Sequence, residues 1–178
     1  MPLRVEAWFE GGVLRGAIGH AGHLRDVLET SNEMLVQAAA WTPTGQAAGQ
    51  PAGDVRVSID DVILAVSDEV ATGPVHAAWH PIRLAAGPYV IEGDLATMPG
   101  FDPGRALARP TGTFVLLCGV RVHLAARPEL GEAAHQQAFV NRYAVDAVEA
   151  DLMLGFFFPG ARMDAEATVA VDPVPSGG

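Results

Sequence analysis

Four histidines occur in two closely spaced pairs, and imidazole nitrogens are common ligands of transition metals. Two residues separate His20 from His23, and three separate His76 from His80. With a nearby carboxylate such as Asp26, the two pairs could hold a metal ion. However, the chain has a single cysteine and no HExxH motif, and no pattern fixes a third ligand. We therefore predict surface histidines, no metal site and no cofactor.

Two further groups could do chemistry. Asp60 and Asp61 are adjacent carboxylates, suited to a general base or a cation site, but adjacent strand residues point to opposite faces, which favours a solvated strand end. Cys118 could be a nucleophile beside a base, but its neighbours Leu116 and Val120 indicate an inert core thiol. The glycine-rich segments match no phosphate-binding motif, and there is no GxSxG motif. The sequence thus predicts no catalytic residue.

The composition indicates an acidic globular protein. The 178 residues carry a formal net charge of −10, include no lysine and are 49% hydrophobic. Nucleic-acid binding needs positive groups that neutralise phosphates, so we predict no binding to RNA or DNA. The apolar stretch at residues 152–159 is far shorter than the roughly 20 residues that span a membrane. The lone cysteine and the lack of a signal-like N-terminus predict a cytoplasmic protein without intramolecular disulfides.

The first half of the chain has the pattern of strands around one short helix. Residues 3–9 alternate with the period of a half-buried strand, and Gly11 and Gly12 predict a hairpin turn. Gly16 indicates a bulge or bend in the second strand. Apolar residues at helical spacing predict a helix at 23–29. We predict strands at 3–9, 13–19, 34–41 and 55–66, the last as one bent strand or two short ones, with a loop at 42–54.

The second half repeats this order. Strands are predicted at 79–86, 90–95, 113–124 and 139–148, and Asp102-Pro103 predicts the start of a helix that ends near Arg109. Five residues of the long strand are predicted to share one face: Phe114, Leu116, Cys118, Val120 and Val122. The aligned positions are Gly16 with Gly93, Leu28 with Leu107, Met34–Val36 with Thr113–Val115, and Val57 with Val140.

The repeated segments carry a family resemblance. VLRG, HLRDVLETSNEMLV and VSIDDVILAV in the first half, with YVIEGDL, FDPGRALARPTGTFVLL and FVNRYAVDAV in the second, resemble an uncharacterised bacterial Sm-like small β-barrel domain of unknown function. The resemblance implies a mainly β protein of two tandem five-stranded Sm-like barrels, each with one short helix. The predicted domains are a first barrel at 1–74, a second at 75–160, and a C-terminal strand or tail at 161–178.

Three consecutive phenylalanines stand out near the end of the second half. On a strand, Phe157 would point away from Phe156 and Phe158, so one apolar face would need a further partner. That partner is either another part of the same chain or another protein. The second alternative predicts an interface that comprises Leu152, Met153, Leu154, Phe156, Phe157 and Phe158.

These observations favour a non-catalytic assembly or scaffold protein that acts through protein–protein contacts. Its partner would be another protein or a further copy of the same chain. The alternative is a module that binds a small molecule or a metal ion in the groove between the two barrels.

Overall fold

The computed structural model describes residues 2–19, 22–69, 76–97, 112–150 and 152–164. These residues form a mainly β structure with one α-helix, which confirms the predicted fold class at this level. The helix α1 is Leu24–Thr30, and the strands are β1 (Leu3–Phe9), β2 (Gly12–Ile18), β3 (Glu33–Pro43), β4 (Gln50–Ser58), β5 (Leu64–Ser67), β6 (Ala78–Ala86), β7 (Tyr89–Thr97), β8 (Phe114–Leu124), β9 (Glu132–Asn141), β10 (Ala147–Glu149) and β11 (Arg162–Asp164).

All strands of the described residues lie in one open sheet of eleven strands, in the order β11-β10-β6-β7-β8-β9-β5-β1-β2-β3-β4. Only β10 and β11 pair in parallel within this described sheet. Because the sheet is open, the division into two closed barrels stays a prediction. The helix predicted at 102–109 lies outside the described residues.

The two sets of five strands share one relative order, β5-β1-β2-β3-β4 and β10-β6-β7-β8-β9. Val5 lies opposite Gly16, and Ile82 lies opposite Gly93. A register shift falls at each of these glycines where the strand pairs with its next neighbour. A Cβ atom on Gly16 would lie 2.6 Å from Val36 Cγ1, so the absence of a side chain lets the bent strand approach β3.

The third strands correspond with a register that differs from the prediction by two residues. Met34 pairs with Val57 on β4, and Val115 pairs with Val140 on β9. Met34 therefore corresponds to Val115 and not to Thr113. The alignment of Val57 with Val140 agrees with these pairings.

A bulge in β8 overturns the predicted face of this strand. Gly119 has a φ of 59° and is skipped in the pairing with both neighbouring strands. The extra residue shifts the alternation, so Leu117 and Val120 are both buried while Cys118 is half-buried. The prediction that Phe114, Leu116, Cys118, Val120 and Val122 share one face is wrong for this reason.

The structure also resolves the two alternatives for residues 55–66. A 3-10 helix at Ile59–Asp61 separates β4 from β5, so two strands form instead of one bent strand. β4 begins at Gln50, which makes the predicted loop at 42–54 too long. Among the described helices, none is long and apolar enough to cross a membrane.

Two hydrophobic clusters form the core, and each draws on both halves of the chain. One contains most buried residues of β6–β10 together with Trp8 and Leu64 from the first half. The other contains buried residues of β1–β3, β5 and α1 together with Phe114 and Phe139 from the second half. The two halves therefore bury apolar surface against each other. The predicted domain boundary between residues 74 and 75 lies outside the described part of the chain.

Candidate interaction edges of the sheet

The candidate metal ligands do not gather into one site in the described chain. His23 precedes α1, where its Nδ1 contacts the Glu69 carboxylate. His80 on β6 lies 2.9 Å from the Thr97 hydroxyl, and His76 is exposed. His20 is outside the described residues. No group of three or more metal-ligating side chains occurs among the residues that the structure describes.

The two other chemical candidates lie in unremarkable surroundings. Asp60 and Asp61 are exposed on a 3-10 helix and not at the end of a strand. Cys118 lies opposite Gln137, whose Nε2 is 3.8 Å from Sγ. Burial raises the pKa of the Cys118 thiol; the Gln137 hydrogen bond lowers it and the Asp94 charge raises it further. A raised pKa reduces the thiolate fraction, which is the opposite of nucleophile activation.

The phenylalanine segment folds differently from the sequence expectation. Leu152–Phe157 is a 3-10 helix and not a strand, so the strict alternation of faces does not apply. Leu154, Phe157 and Phe158 are buried in the core cluster of the second half. These three side chains therefore pack within the same chain, which is the first of the two alternatives given above. The side chains of Leu152, Met153 and Phe156 are outside the described set.

Arg142 fixes this segment to the sheet. It is only 5% exposed, and its Nε donates to the Phe157 carbonyl oxygen at 2.6 Å. Its Nη1 donates to the Gly112 carbonyl oxygen at the same distance, 2.6 Å. Because a buried guanidinium needs acceptors, these carbonyls satisfy the charge and hold the 3-10 helix beside the start of β8.

The two halves join through a strand pair, β5 with β9. Leu64 lies opposite Val140 and Ala65 opposite Phe139. The Asn141 backbone N–H donates to the Ile63 carbonyl oxygen at 2.9 Å. Phe139 packs with Ala65 in the core cluster of the first half, so backbone pairing and side-chain burial act together. We call this contact the internal joint.

Two polar contacts reinforce the internal joint. The Glu29 carboxylate on α1 accepts from the backbone N–H groups of Thr113 and Phe114, both at 2.9 Å. The Tyr89 hydroxyl donates to the Phe9 carbonyl oxygen at 2.8 Å, and its ring packs edge-to-face with Trp8 at 5.2 Å. These contacts tie the helix and the first hairpin to the second half.

One end of the sheet exposes strand β4, which corresponds to β9. In the described part of the chain, no strand pairs with its outer side. The Ile59 N–H donates to the Asn32 carbonyl oxygen, on the side of β3. Because successive N–H groups of a strand point to opposite sides, those of Arg56 and Ser58 face outward. Arg56 forms an exposed ion pair with Glu33 at 3.3 Å. β4 thus offers backbone donors for a further strand, flanked by charged groups.

At the other end of the sheet, β11 covers β10. The Arg162 N–H donates to the Asp146 carbonyl oxygen at 2.9 Å. Met163 lies opposite Val148 and packs against the core of the second half. The 3-10 helix lies beneath it, because a Cβ on Gly155 would meet the Met163 thioether. We call residues 152–164 the C-terminal cap.

An open groove between the halves is the place for the small-molecule alternative. It has a volume of about 250 Å³ and is lined by residues of both halves, including Trp8, Tyr89 and Leu130. Trp8 Nε1 is buried and has no hydrogen-bond partner among the described groups.

Comparisons with known proteins do not assign the chain. No protein-family model matches it, and neither a curated protein nor a solved structure matches it. The Sm-like resemblance thus rests on the sequence segments alone, and the functional argument rests on the geometry of the sheet.

Sequence reasoning located some contributors to this geometry and missed others. It placed Phe139 and Asn141 in a strand, but gave no reason to pair that strand with β5. Arg142 and Glu29 were missed as anchors, because their partners are backbone groups distant in sequence. Arg142 lies inside the strand predicted at 139–148, whereas β9 ends at Asn141, and a charged residue within that apolar segment is the one signal that could have marked it.

Proposed function

We propose that this chain is a non-catalytic assembly protein, built from two Sm-like units, that joins other protein chains through the ends of its β-sheet. The internal joint is the observation that carries the proposal. There, the fourth strand of one set pairs with the fifth strand of the other, and Phe139 seals the contact. β4 holds the place of β9 in its own set and has a free outer side among the described strands.

The partner we propose is protein and not nucleic acid. Strand addition takes its affinity from main-chain hydrogen bonds, which any extended peptide can supply. A phosphate backbone would instead meet a chain of net charge −10 without lysine. The exposed Arg56 and Glu33 beside the edge favour a partner strand with charged or polar side chains. A cytoplasmic location belongs to the same proposal.

Arg56→Pro tests the β4 edge. Proline removes the outward N–H of residue 56, and an edge strand tolerates proline where that N–H faces solvent. Its matched control is Arg56→Ala, which loses the same ion pair but keeps the N–H; exposed pairs of this kind are worth about 0–1 kcal/mol. We expect Arg56→Pro to weaken self-association or binding to a purified partner about tenfold, and Arg56→Ala to change it little.

Analytical ultracentrifugation measures self-association, and calorimetry measures the binding of a purified partner. Thermal melting should first show that both variants fold. Equal binding by the wild type, Arg56→Pro and Arg56→Ala would remove β4 from the proposal. A wild-type chain that is monomeric and retains no partner through purification would remove the assembly function itself.

The groove between the halves favours a second candidate, a small-molecule module. A ligand with a hydrogen-bond acceptor could satisfy Trp8 Nε1, which is buried without a described partner. Trp8→Phe keeps an aromatic ring and removes the donor. If the groove binds such a ligand, this variant should bind it more weakly than the wild type in a calorimetric titration.

A further inference from the structure

We propose that the outer edge of β10 is a second strand-docking site, and that the C-terminal cap occupies it until a partner strand displaces β11. The inference rests on the proposed function, in which the chain joins others through the ends of its sheet. It names the partner at this end as an extended segment with an aromatic residue placed to lie opposite Val148.

Two equivalent carbonyl oxygens accept a hydrogen bond from the neighbouring strand, one at the internal joint and one at the cap. Trp8 on β1 and Ala85 on β6 hold equivalent positions. Trp8 pairs with Leu64 and Ala85 pairs with Ala147, so Leu64 of β5 corresponds to Ala147 of β10. Ile63 O, just before β5, accepts from Asn141 of the neighbouring strand at 2.9 Å. Asp146 O, just before β10, accepts from Arg162 of the cap at 2.9 Å. The cap thus uses the acceptor that the internal joint uses for strand addition.

Phe139 and Met163 lie at equivalent positions beside the core. At the internal joint, Phe139 lies opposite Ala65 and enters the core cluster of the first half. At the cap, Met163 lies opposite Val148 and packs on the core cluster of the second half. Ala65 and Val148 are equivalent, since they pair with Ala7 and Leu84 respectively. Met163 therefore stands where an incoming strand would place an aromatic residue.

β11 is held less firmly on β10 than β9 is held on β5. β11 has three residues and pairs with β10 alone among the described strands, whereas β9 has ten and also pairs with β8. β11 runs parallel to β10, while β9 runs antiparallel to β5, and parallel pairing is slightly less stable per residue. Arg162 and Asp164 are exposed, so Met163 supplies the apolar contact of the strand. An incoming strand would pair antiparallel with the same three residues of β10, which is the slightly more stable orientation.

The internal joint also defines the chemistry of the displacing strand. It should donate an N–H to Asp146 O, as Asn141 does to Ile63 O. Two residues earlier it should carry an aromatic side chain, as Phe139 does. A fluorescein-labelled peptide with the sequence of residues 136–142, QQAFVNR, satisfies both conditions and serves as the probe.

The experiment compares Arg162→Pro with Arg162→Ala in the full chain. Proline removes the N–H that bonds to Asp146 O and so releases β11, whereas alanine removes the side chain and keeps the N–H. Fluorescence anisotropy measures peptide affinity. We expect Arg162→Pro to bind QQAFVNR about tenfold more tightly than the wild type, and Arg162→Ala to resemble the wild type. A peptide with aspartate at the phenylalanine position should lose this gain.

Hydrogen exchange then locates the bound peptide. Binding should slow exchange at residues 147–149, and adding Arg56→Pro to Arg162→Pro should leave the affinity unchanged. Loss of affinity on adding Arg56→Pro would place the peptide on β4 and overturn the β10 site, while leaving the proposed function intact. Equal affinity of Arg162→Pro and the wild type, or of the two peptides, would also overturn it.

A second variant covers the case in which Arg162→Pro does not fold. Met163→Asp keeps the backbone donor but removes the apolar contact with the core, so it should release β11 in the same direction. Tighter peptide binding by Met163→Asp supports the displaceable cap. If both variants lose their cooperative thermal transition, β11 is an integral strand of the fold and the proposal fails.

Discussion

At the scale of single residues, buried polar groups in this chain serve the architecture. Asn141 donates its backbone N–H to Ile63 O and its Nδ2 to Val62 O, at 2.9 and 3.0 Å. Arg142 next to it binds the backbone on the other side, at Gly112 and Phe157. Two adjacent side chains therefore hold three separate segments together. Such groups are costly to bury without partners, so their contacts specify one arrangement.

Cys118 gives a prediction that depends on pH. Its pKa is raised, chiefly by burial, so at pH 8 the folded protein should react with Ellman's reagent more slowly than the urea-unfolded chain. Asp94→Asn removes a charge that raises the pKa, and should speed the reaction of the folded protein. Equal rates for the wild type and Asp94→Asn across pH 7–10 would contradict the assigned charge effect.

The raised pKa of Cys118 also makes the free energy of unfolding depend on pH. The folded-state pKa lies above the unfolded value, so the stabilising contribution is fully present below the unfolded pKa. It is lost as the pH rises through the folded pKa. Cys118→Ser should therefore flatten the alkaline decline in the free energy of unfolding, measured by urea denaturation.

At the scale of elements, local patterns located most strands and the irregularity at Gly16, but not the bulge at Gly119. The alternation of residues 3–9 predicts β1 correctly, and the spacing of Leu24, Val27 and Leu28 predicts α1. Gly119 is a glycine within a strand, as Gly16 is, but β8 carries apolar residues on both faces, so its sequence does not show where the buried face changes. The phenylalanine segment was missed because short apolar runs do not distinguish strand from helix.

Gly16 provides a test of the bend in β2. A Cβ there would lie 2.6 Å from Val36 Cγ1 and 2.7 Å from the Gln37 carbonyl oxygen. Since the backbone oxygen cannot move without disturbing β3, Gly16→Ala should lower the free energy of unfolding by about 1–3 kcal/mol in urea denaturation. Gly19→Ala is the matched control, because its Cβ would meet only Gln37 Oε1, at 3.6 Å. Equal stability of the two variants would contradict the packing argument.

At the scale of the whole molecule, the sequence predicts a recurring order of elements but not how the halves combine. Gly16 and Gly93 fall at matching places in the sheet, as do Val57 and Val140, whereas Met34 corresponds to Val115 and not to Thr113. The internal joint was out of reach, since β5 and β9 meet across more than 70 residues of chain and no local pattern encodes that pairing. The sheet therefore continues across the halves where the sequence suggests two closed barrels.

The shared cores predict that the described chain unfolds as one unit. Leu28 lies in the first core cluster, which also holds Phe114 and Phe139 from the second half. Leu28→Ala should cost about 2–5 kcal/mol, and Phe139→Ala about 3–5 kcal/mol, against a typical total of about 5–15 kcal/mol. If the halves are coupled, each variant should speed hydrogen exchange in β7 as much as in β2, under conditions where global opening dominates.

Leu28→Ala is the decisive variant, because its side chain belongs to the first half and β7 belongs to the second. Coupled halves transmit its full cost to β7, since the loss of the first core also exposes Phe139 and breaks the β5–β9 pair. Independent halves would leave exchange in β7 at the wild-type rate and give two urea transitions. That result would mean that the internal joint is a docking contact between separately stable units, and the two-barrel division would then gain direct support.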